Sequence, residues 1–242
     1  MKSVKAILTI DDIATSNTPL LVDYLTERGI VALMFAQGDR LEKYPENVIY
    51  ALKHGMIVGN HSYSHPNFAE ISFEDGIKEI EKTEALLKDI YNRAGVERKY
   101  RPFRFPYGSK GGDNKDKYEQ YFKDKGFSKL DDRKIPYPWW KENGLDKDID
   151  TLWTFDFAEY QIRPGSGFTM DDVFKRIHDD NPPSGGVLLE EGSNHIILMH
   201  DHEETLAMVP DYYRIMIDHL LENGVEFVKP EFIYNPIIPT GQ

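Results

Sequence analysis

The sequence predicts an α/β fold, a closed or nearly closed (β/α) barrel of about seven parallel strands. Three observations lead there. Short apolar runs rich in β-branched and aromatic residues recur seven times. Amphipathic helical patterns lie between several of them. Four of those patterns stop at a glycine, Gly29, Gly55, Gly126 or Gly224, where a helix end favours a left-handed residue. Strand and helix in that alternation imply a parallel sheet covered by helices, and seven strands favour one barrel over two small domains.

Taken in order, "VKAILTI" (residues 4–10) opens the barrel and "NTPLLVDYLTERG" gives the first helix. "IVALMF" (30–35) is the second strand and "PENVIYALKHG" its helix. "MIVG" (56–59) is the third strand, followed by the longest helical pattern, "FEDGIKEIEKTEALLKDIYNRAG". "FRFP" (103–106) and "DKYEQYFKDKG" make the fourth pair. "TLWTFDF" (151–157) with "TMDDVFKRIHDD", then "HIILMH" (195–200) with "PDYYRIMIDHLLENG", supply the fifth and sixth, and "VEFV" (225–228) the last strand. One segment breaks this rhythm, the polar, proline-bearing "LDDRKIPYPWWKENGLDKDID". It reads as a loop insertion over 131–150 within a single domain spanning 1–242. Its ends should lie at the N-terminal rim of the barrel, with "IPYPWW" packed against the barrel wall or a partner subunit; the alternative sets Trp139 or Trp140 over the substrate groove.

Composition excludes several classes of function. A net charge of −12 and no basic stripe argue against nucleic acid as a partner. No apolar run is long enough to span a membrane, and the N-terminus "MKSVKAILTI" has neither the length nor the small-residue cleavage site of a signal peptide. As it stands the chain reads as soluble and cytoplasmic, or as secreted or periplasmic if a leader has been removed. With no cysteine, any metal must be held by His, Asp and Glu. Nothing in the sequence fixes an oligomeric state.

In parallel α/β folds function sits beyond the carboxyl ends of the strands. The residues that close the apolar runs are Asp11 and Asp12, His61 and His65, Arg104, Asp156 and His200. His61 and His65 are four apart, so on one helical turn both imidazoles would face one metal ion, with Pro66 ending the turn. Two adjacent carboxylates at a strand end can diverge, one completing a two-histidine, one-carboxylate set and the other accepting a proton from bound water. Capping a helix is the plainer role for Asp11 and Asp12, but Thr15, Ser16 and Asn17 are better placed for it. His200 suits a general acid near neutral pH or a hydrogen-bonded core histidine. His200 and His202 also form an H-x-H pair, a second metal-binding pattern that ranks below the first.

The order of motifs resembles that of the polysaccharide deacetylases, the NodB-homology carbohydrate esterases, over nearly the whole chain. "LTIDD" is similar to their T-F-D-D motif, "HSYSH" to H-[ST]-x-x-H, "FRFPYG" to R-P-P-Y-G and "WTFDFAEY" to W-x-x-D-x-x-D-W. "IILMHD" resembles the motif that carries the family's catalytic acid. The resemblance implies a distorted (β/α) barrel, complete or incomplete, and a divalent metal; two imidazoles and one carboxylate suit zinc, cobalt, nickel or manganese, with zinc first on availability. Asp12, His61 and His65 would be its ligands, Asp11 the base, His200 the acid and Arg104 the partner of Asp11. Tyr107 would be a backbone oxyanion donor, and Asp156 would wall the groove and orient the acid. An acetylated carbohydrate is then the substrate and N-acetyl hydrolysis the reaction. The alternatives are hydrolysis of a non-sugar amide, or a non-catalytic relic that binds carbohydrate through Trp139, Trp140, Trp153 and Tyr160. The pattern is broken at Ile13, where the family has Gly, and at Glu159 and Tyr160, where it has Asp and Trp.

Overall fold

A computed structural model describes residues 3–234, so the outermost ends of the single domain expected over 1–242 lie outside the described residues. The first half of the chain holds strands β1 (Val4–Ile13), β2 (Leu33–Ala36) and β3 (Ile57–Asn60). With them run helices α1 (Thr18–Glu27), α2 (Gly38–Lys43), α3 (Pro45–Lys53) and α4 (Phe73–Ala94). Helix α5 (Lys115–Asp124), strand β4 (Lys129–Leu130), helix α6 (Pro138–Glu142) and strand β5 (Phe155–Asp156) follow. Helix α7 (Met170–Ile177), strand β6 (Asn194–His200), helices α8 (Glu203–Met208) and α9 (Tyr212–Glu222), and strands β7 (Val225–Phe227) and β8 (Phe232–Tyr234) complete the order. Among the described residues no helix is long and apolar enough to cross a membrane.

The main sheet is parallel, in the order β3-β2-β1-β6-β5, with β7 paired to the start of β1. The fourth expected strand, "FRFP", is not one: Phe103 forms a single parallel bridge to Asn60. Backbone bonds from Asn60 N–H to the Pro102 carbonyl (2.9 Å) and from Thr151 N–H to the Phe103 carbonyl (2.8 Å) then carry the wall round to β5. A partner lies on each side, but no ladder is continuous, so the barrel is distorted at this point. All six helices expected from periodicity are present as α1, α3, α4, α5, α7 and α9, and the glycines expected to end four of them have positive φ.

Alternate residues of β1 face opposite ways. Ala6, Leu8 and Ile10 join the layer beneath the outer helices, together with Leu25 of α1, Ile49 of α3 and Met216 of α9. Ile7 packs instead in a second cluster with Leu33 and Phe35 of β2 and Ile196 of β6, the interior of the barrel. That interior also contains Ile135, Tyr137, Trp139, Trp140 and Leu145, all from the 131–150 insertion. The segment is thus part surface and part plug: Arg133, Lys134, Pro136 and Pro138 stay exposed, while Ile135 and Trp140 turn inward and pack with Leu33, Phe35 and Ile196 in the barrel interior. Lys129 Nζ and Trp140 Nε1 both donate to Asp132 Oδ2 (2.9 Å each), which satisfies the polar groups that the plug buries.

Trp140 is 2 % exposed and Trp139 only partly buried, so the two should behave differently on truncation. Trp140→Ala is expected to destabilise the fold by about 3–5 kcal/mol, measured by denaturant unfolding. A loss below about 1 kcal/mol would show that the plug does not support the barrel.

Candidate active site

At the C-terminal mouth of the barrel a cavity of about 530 Å³ is lined by Asp11, Asp12, His61, His65, Tyr107, Asp156 and His200. Seven of the eight residues singled out from sequence thus meet in one place; Arg104 lies fully buried beneath them.

The two carboxylates converge through a backbone irregularity. Asp11 pairs with His200 in the regular β1–β6 register, but the β1–β2 register shifts between Ile10 and Ile13. Within that shift Asp12 adopts a left-handed conformation (φ 65°), which breaks the alternation that would send consecutive side chains to opposite faces. Asp11 Oδ1 accepts from Arg104 Nη1 at 2.7 Å, while its Oδ2 lies 3.5 Å from His61 Nε2. Asp12 Oδ1 lies 3.5 Å from His65 Nε2 and 3.7 Å from His61 Nε2. Neither aspartate caps α1, whose N-cap is Asn17.

His61 and His65 are not on a helical turn. They sit in a loop in which Ser62 (φ 65°) and His65 (φ 59°) are both left-handed. Side chains replace the missing helical bonds: Asn60 Oδ1 accepts from Ser62 N–H (2.8 Å), Ser62 Oγ from His65 N–H (3.2 Å), and Glu79 from Tyr63 and Ser64 N–H. The i, i+4 spacing brings the rings to 4.9 Å, but by this route. His61 Nδ1 donates to the Arg104 carbonyl at 2.9 Å, and a carbonyl can only accept, so Nε2 is left as a lone-pair donor towards Asp12.

These donors fit a divalent ion. A tetrahedral ion at about 2.0–2.1 Å from each ligand sets ligand atoms roughly 3.3 Å apart, and the ligand atoms of Asp12, His61 and His65 all lie within 4.8 Å of one another. Two imidazoles and one carboxylate suit zinc, cobalt, nickel or manganese alike.

The electrostatics separate the site into two halves. Burial works against a charge on Asp12, but the His202 hydrogen bond and the imidazoles of His61, His200 and His65 hold it well below the usual carboxylate range. Burial, then the neighbouring His61, pushes His65 down to about 4. Burial opposes a charge on His200 too, yet the Glu159 carboxylate, with Asp12 and Asp11, pushes it up to about 10. Burial raises Asp156.

Several contributors escape sequence reasoning. Glu159, noted only as a departure from pattern, is fully buried and accepts from His200 Nδ1 at 3.2 Å and from the His200 backbone N–H. Asp156 lines the cavity, and its Oδ1 accepts from Ala158 N–H at 2.7 Å, while His200 Nδ1 is taken by Glu159. His202, weighed only as half of an H-x-H pair, donates from Nε2 to Asp12 Oδ2 at 2.7 Å. Gln37 donates to Asp12 Oδ1, and Arg40 to the Asp12 carbonyl. Gln37 lies just beyond β2, so reading the second apolar run two residues further would have reached it. Arg40 lies on α2, six residues long and too short to show a period. Tyr107 is left-handed (φ 58°), 68 % exposed, and edge-on to His65 at 4.5 Å.

Residues 2–128 match the family model described as "Polysaccharide deacetylase". Among characterised relatives, the peptidoglycan-N-acetylglucosamine deacetylase of Bacillus cereus is 36% identical over 91 residues, covering 38% of this chain and 31% of the relative. Chitin deacetylase 1 of Cryptococcus neoformans is 27% identical over 225 residues, 92% of this chain and 42% of the relative. The chain therefore spans well under half the length of these two proteins. Among solved structures, the peptidoglycan deacetylase PdaC of Bacillus subtilis aligns over 94% of this chain and 87% of its own, with a TM-score of 0.59 and 25% identity. The chitin deacetylase of Colletotrichum lindemuthianum gives a TM-score of 0.63 at 19% identity over 94% of this chain and 86% of its own, a likeness of fold.

His61→Ala and His65→Ala should each abolish stoichiometric metal binding, measured by elemental analysis after dialysis, because two remaining ligands hold an ion too weakly. Full, tightly held metal in either variant would refute the ligand set. Glu159→Gln keeps the acceptor for the His200 backbone N–H but removes the charge that favours imidazolium. The His200 pKa should fall, and the alkaline limb of any rate that needs His200 protonated should move to lower pH. An unmoved alkaline limb would deny Glu159 that influence.

Proposed function

The chain belongs to the polysaccharide deacetylase family, and on that premise we propose that it is a metal-dependent hydrolase, a single catalytic unit that removes acetyl groups from N-acetylated amino sugars in an oligo- or polysaccharide. The relatives named for peptidoglycan and for chitin have the N-acetylated hexosamine in common, which supports that substrate class. The observation that carries the reading is the division between adjacent carboxylates: Asp12 turned to two imidazoles, Asp11 tied to a guanidinium.

Asp12, His61 and His65 would hold the ion, zinc in the first instance. Bound there, a divalent ion supplies Lewis-acid polarisation of the acetyl carbonyl and a more acidic water. Asp11 has Oδ1 fixed by Arg104, so Oδ2 is the oxygen that faces the cluster and takes the proton of the attacking water. Glu159 occupies His200 Nδ1, which leaves Nε2 to give a proton to the departing amine. The upward shift of His200 supports that role, since the ring enters the reaction as imidazolium at neutral pH. The Tyr107 backbone N–H is the proposed donor to the tetrahedral oxyanion, a contribution of about 3 kcal/mol per donor at such sites. Asp156, Trp153 and Tyr160 wall the groove.

Acetate release from a panel of N- and O-acetylated sugars, measured with and without added metal, tests the assignment. No release from any N-acetylated sugar by metal-loaded protein would remove it. Asp11→Asn should retain metal and lose a factor of about 10² or more in rate. His200→Ala should slow amide substrates more than matched esters, because an amine must be protonated to leave and an alkoxide needs this less. Equal losses on the two would exclude His200 as the acid.

A further inference from the structure

The stretch that carries Tyr107, from Phe103 to Lys110, is fastened at both ends to residues 148–151, where the 131–150 insertion runs into the approach to β5. At the first end Thr151 N–H donates to the Phe103 carbonyl (2.8 Å) and Arg104 Nε to the Thr151 carbonyl (3.0 Å). At the second, Lys110 Nζ donates to Asp150 Oδ1 and lies 3.0 Å from Asp148 Oδ2. Between them the Pro106–Gly108 turn rests on Trp153, so closely that a Cβ at Gly108 would come within 2.8 Å of the indole. Tyr107 (φ 58°) and Lys110 (φ 51°) are both left-handed, a conformation that residues other than glycine keep only where their surroundings hold them to it.

The second fastening is a buried ionic cluster. Asp148 and Asp150 are buried together with Glu119 of α5, and Lys115 Nζ lies 2.9 Å from Asp148 Oδ2. Burial, then the neighbouring Asp150, pushes Glu119 up to about 8, so it carries a proton at neutral pH, and its Oε2 accepts from Ile149 N–H at 2.6 Å. Two carboxylates then face two ammonium groups. Without Lys110, a buried carboxylate would lack its counter-charge. We propose that Lys110 is a positioning residue, one whose ion pairs with Asp148 and Asp150 hold the Tyr107 turn at the rim of the barrel mouth. The inference rests on the deacetylase reading for the role of the Tyr107 N–H as oxyanion donor. It gives the insertion a task at each end of the barrel, Trp140 packing the interior and Asp148 and Asp150 setting the turn beside the metal-ligand cluster.

The test combines hydrogen exchange read by mass spectrometry with acetate release from the N-acetylglucosamine trimer by metal-loaded enzyme. In Lys110→Met, amides of residues 105–109 should exchange faster while those of β1 do not change. Its kcat should fall about tenfold with KM and bound metal little altered, because a misplaced oxyanion donor weakens the transition state and not the ground state. Lys110→Arg, which returns a cation to the two carboxylates, should restore most of both. Asp148→Asn leaves Lys110 its Asp150 partner and should give a smaller change in the same direction, which keeps the test readable if Lys110→Met folds poorly. Unmoved exchange at 105–109 in these variants, exchange that rises equally throughout the chain, or a loss carried by KM overturns the proposal. Faster exchange at the turn in an enzyme that releases no acetate even when unsubstituted would uphold the anchor and sink the deacetylase reading, and release with kcat unmoved by Lys110→Met would do the reverse.

Discussion

Arg104 has no exposed surface, yet it brings a permanent positive charge inside the barrel, where Nε and Nη1 find acceptors and Nη2 has none among the described residues. Nη1 donates to Asp11 Oδ1 (2.7 Å) and Thr9 Oγ1 (2.8 Å), both on β1, and Nε to the Thr151 carbonyl (3.0 Å) ahead of β5. Its guanidinium lies over Phe35 of β2, 4.5 Å from the ring centroid, and near Trp153 at 5.5 Å. Its backbone bonds Asn60 at the end of β3, and its carbonyl sets the tautomer of His61. One residue therefore ties four walls of the barrel and fixes one oxygen of Asp11. A buried ion pair of this kind adds little net stability, because desolvating both charges costs about what their attraction returns. What it provides is position: with Arg104 in place, Asp11 has one orientation, and the left-handed Asp12 presents its carboxylate beside it to His61 and His65.

Arg104 bears on the fold as well. "FRFP" contributes a single bridge in place of a ladder, so the wall between β3 and β5 is held by isolated backbone bonds and by the Arg104 side chain. A wall so held needs packing from within, and the 131–150 insertion supplies it through Ile135, Trp140 and Leu145. The interior is thus divided along its axis. Its lower half is apolar and borrowed from the insertion. Its upper half is polar and belongs to the strands, where Thr9, Asp11 and His200 occupy inward positions that a fully packed barrel would give to Val, Ile or Leu.

Much of this was legible in the sequence, for identifiable reasons. Apolar runs and helical periodicity report burial on one face, and all six periodic helices formed. Residues that close apolar runs lie at the barrel mouth because parallel topology puts every strand's carboxyl end on the same side. Interactions set by three-dimensional closure rather than by period were not legible. "FRFP" has the composition of a strand, but its only partners are a bridge and a loop. "HSYSH" has helical spacing, but Asn60, Ser62 and Glu79 offer its backbone better acceptors than a helix would. "IPYPWW" has the proline content of a surface loop, and both prolines are indeed exposed; the inward turn of Ile135 and Trp140 depends on the barrel interior they fill, which no local pattern reports. Glu159 looked like a flaw in a motif because one extra methylene changes the spelling and not the chemistry.

One small cavity holds His200, whose protonated form its neighbours favour, beside Asp11 and the cluster of Asp12, His61 and His65. Asp12 and Asp11 both favour imidazolium at His200, but their negative charge is the charge that a bound divalent cation would offset. Glu159 is different. It is buried, it hydrogen-bonds His200 directly, and it lies outside the group of side chains that could hold the ion with Asp12. Its influence on His200 would therefore persist with a cation held at Asp12, while that of the two aspartates would weaken. His65, pushed down by burial, stays neutral and available as a ligand in the same pH range. On the roles proposed for them, His200 as acid and His65 as ligand, the same residue type would serve two tasks because each ring has a different neighbour, Glu159 for one and the buried His61 imidazole for the other.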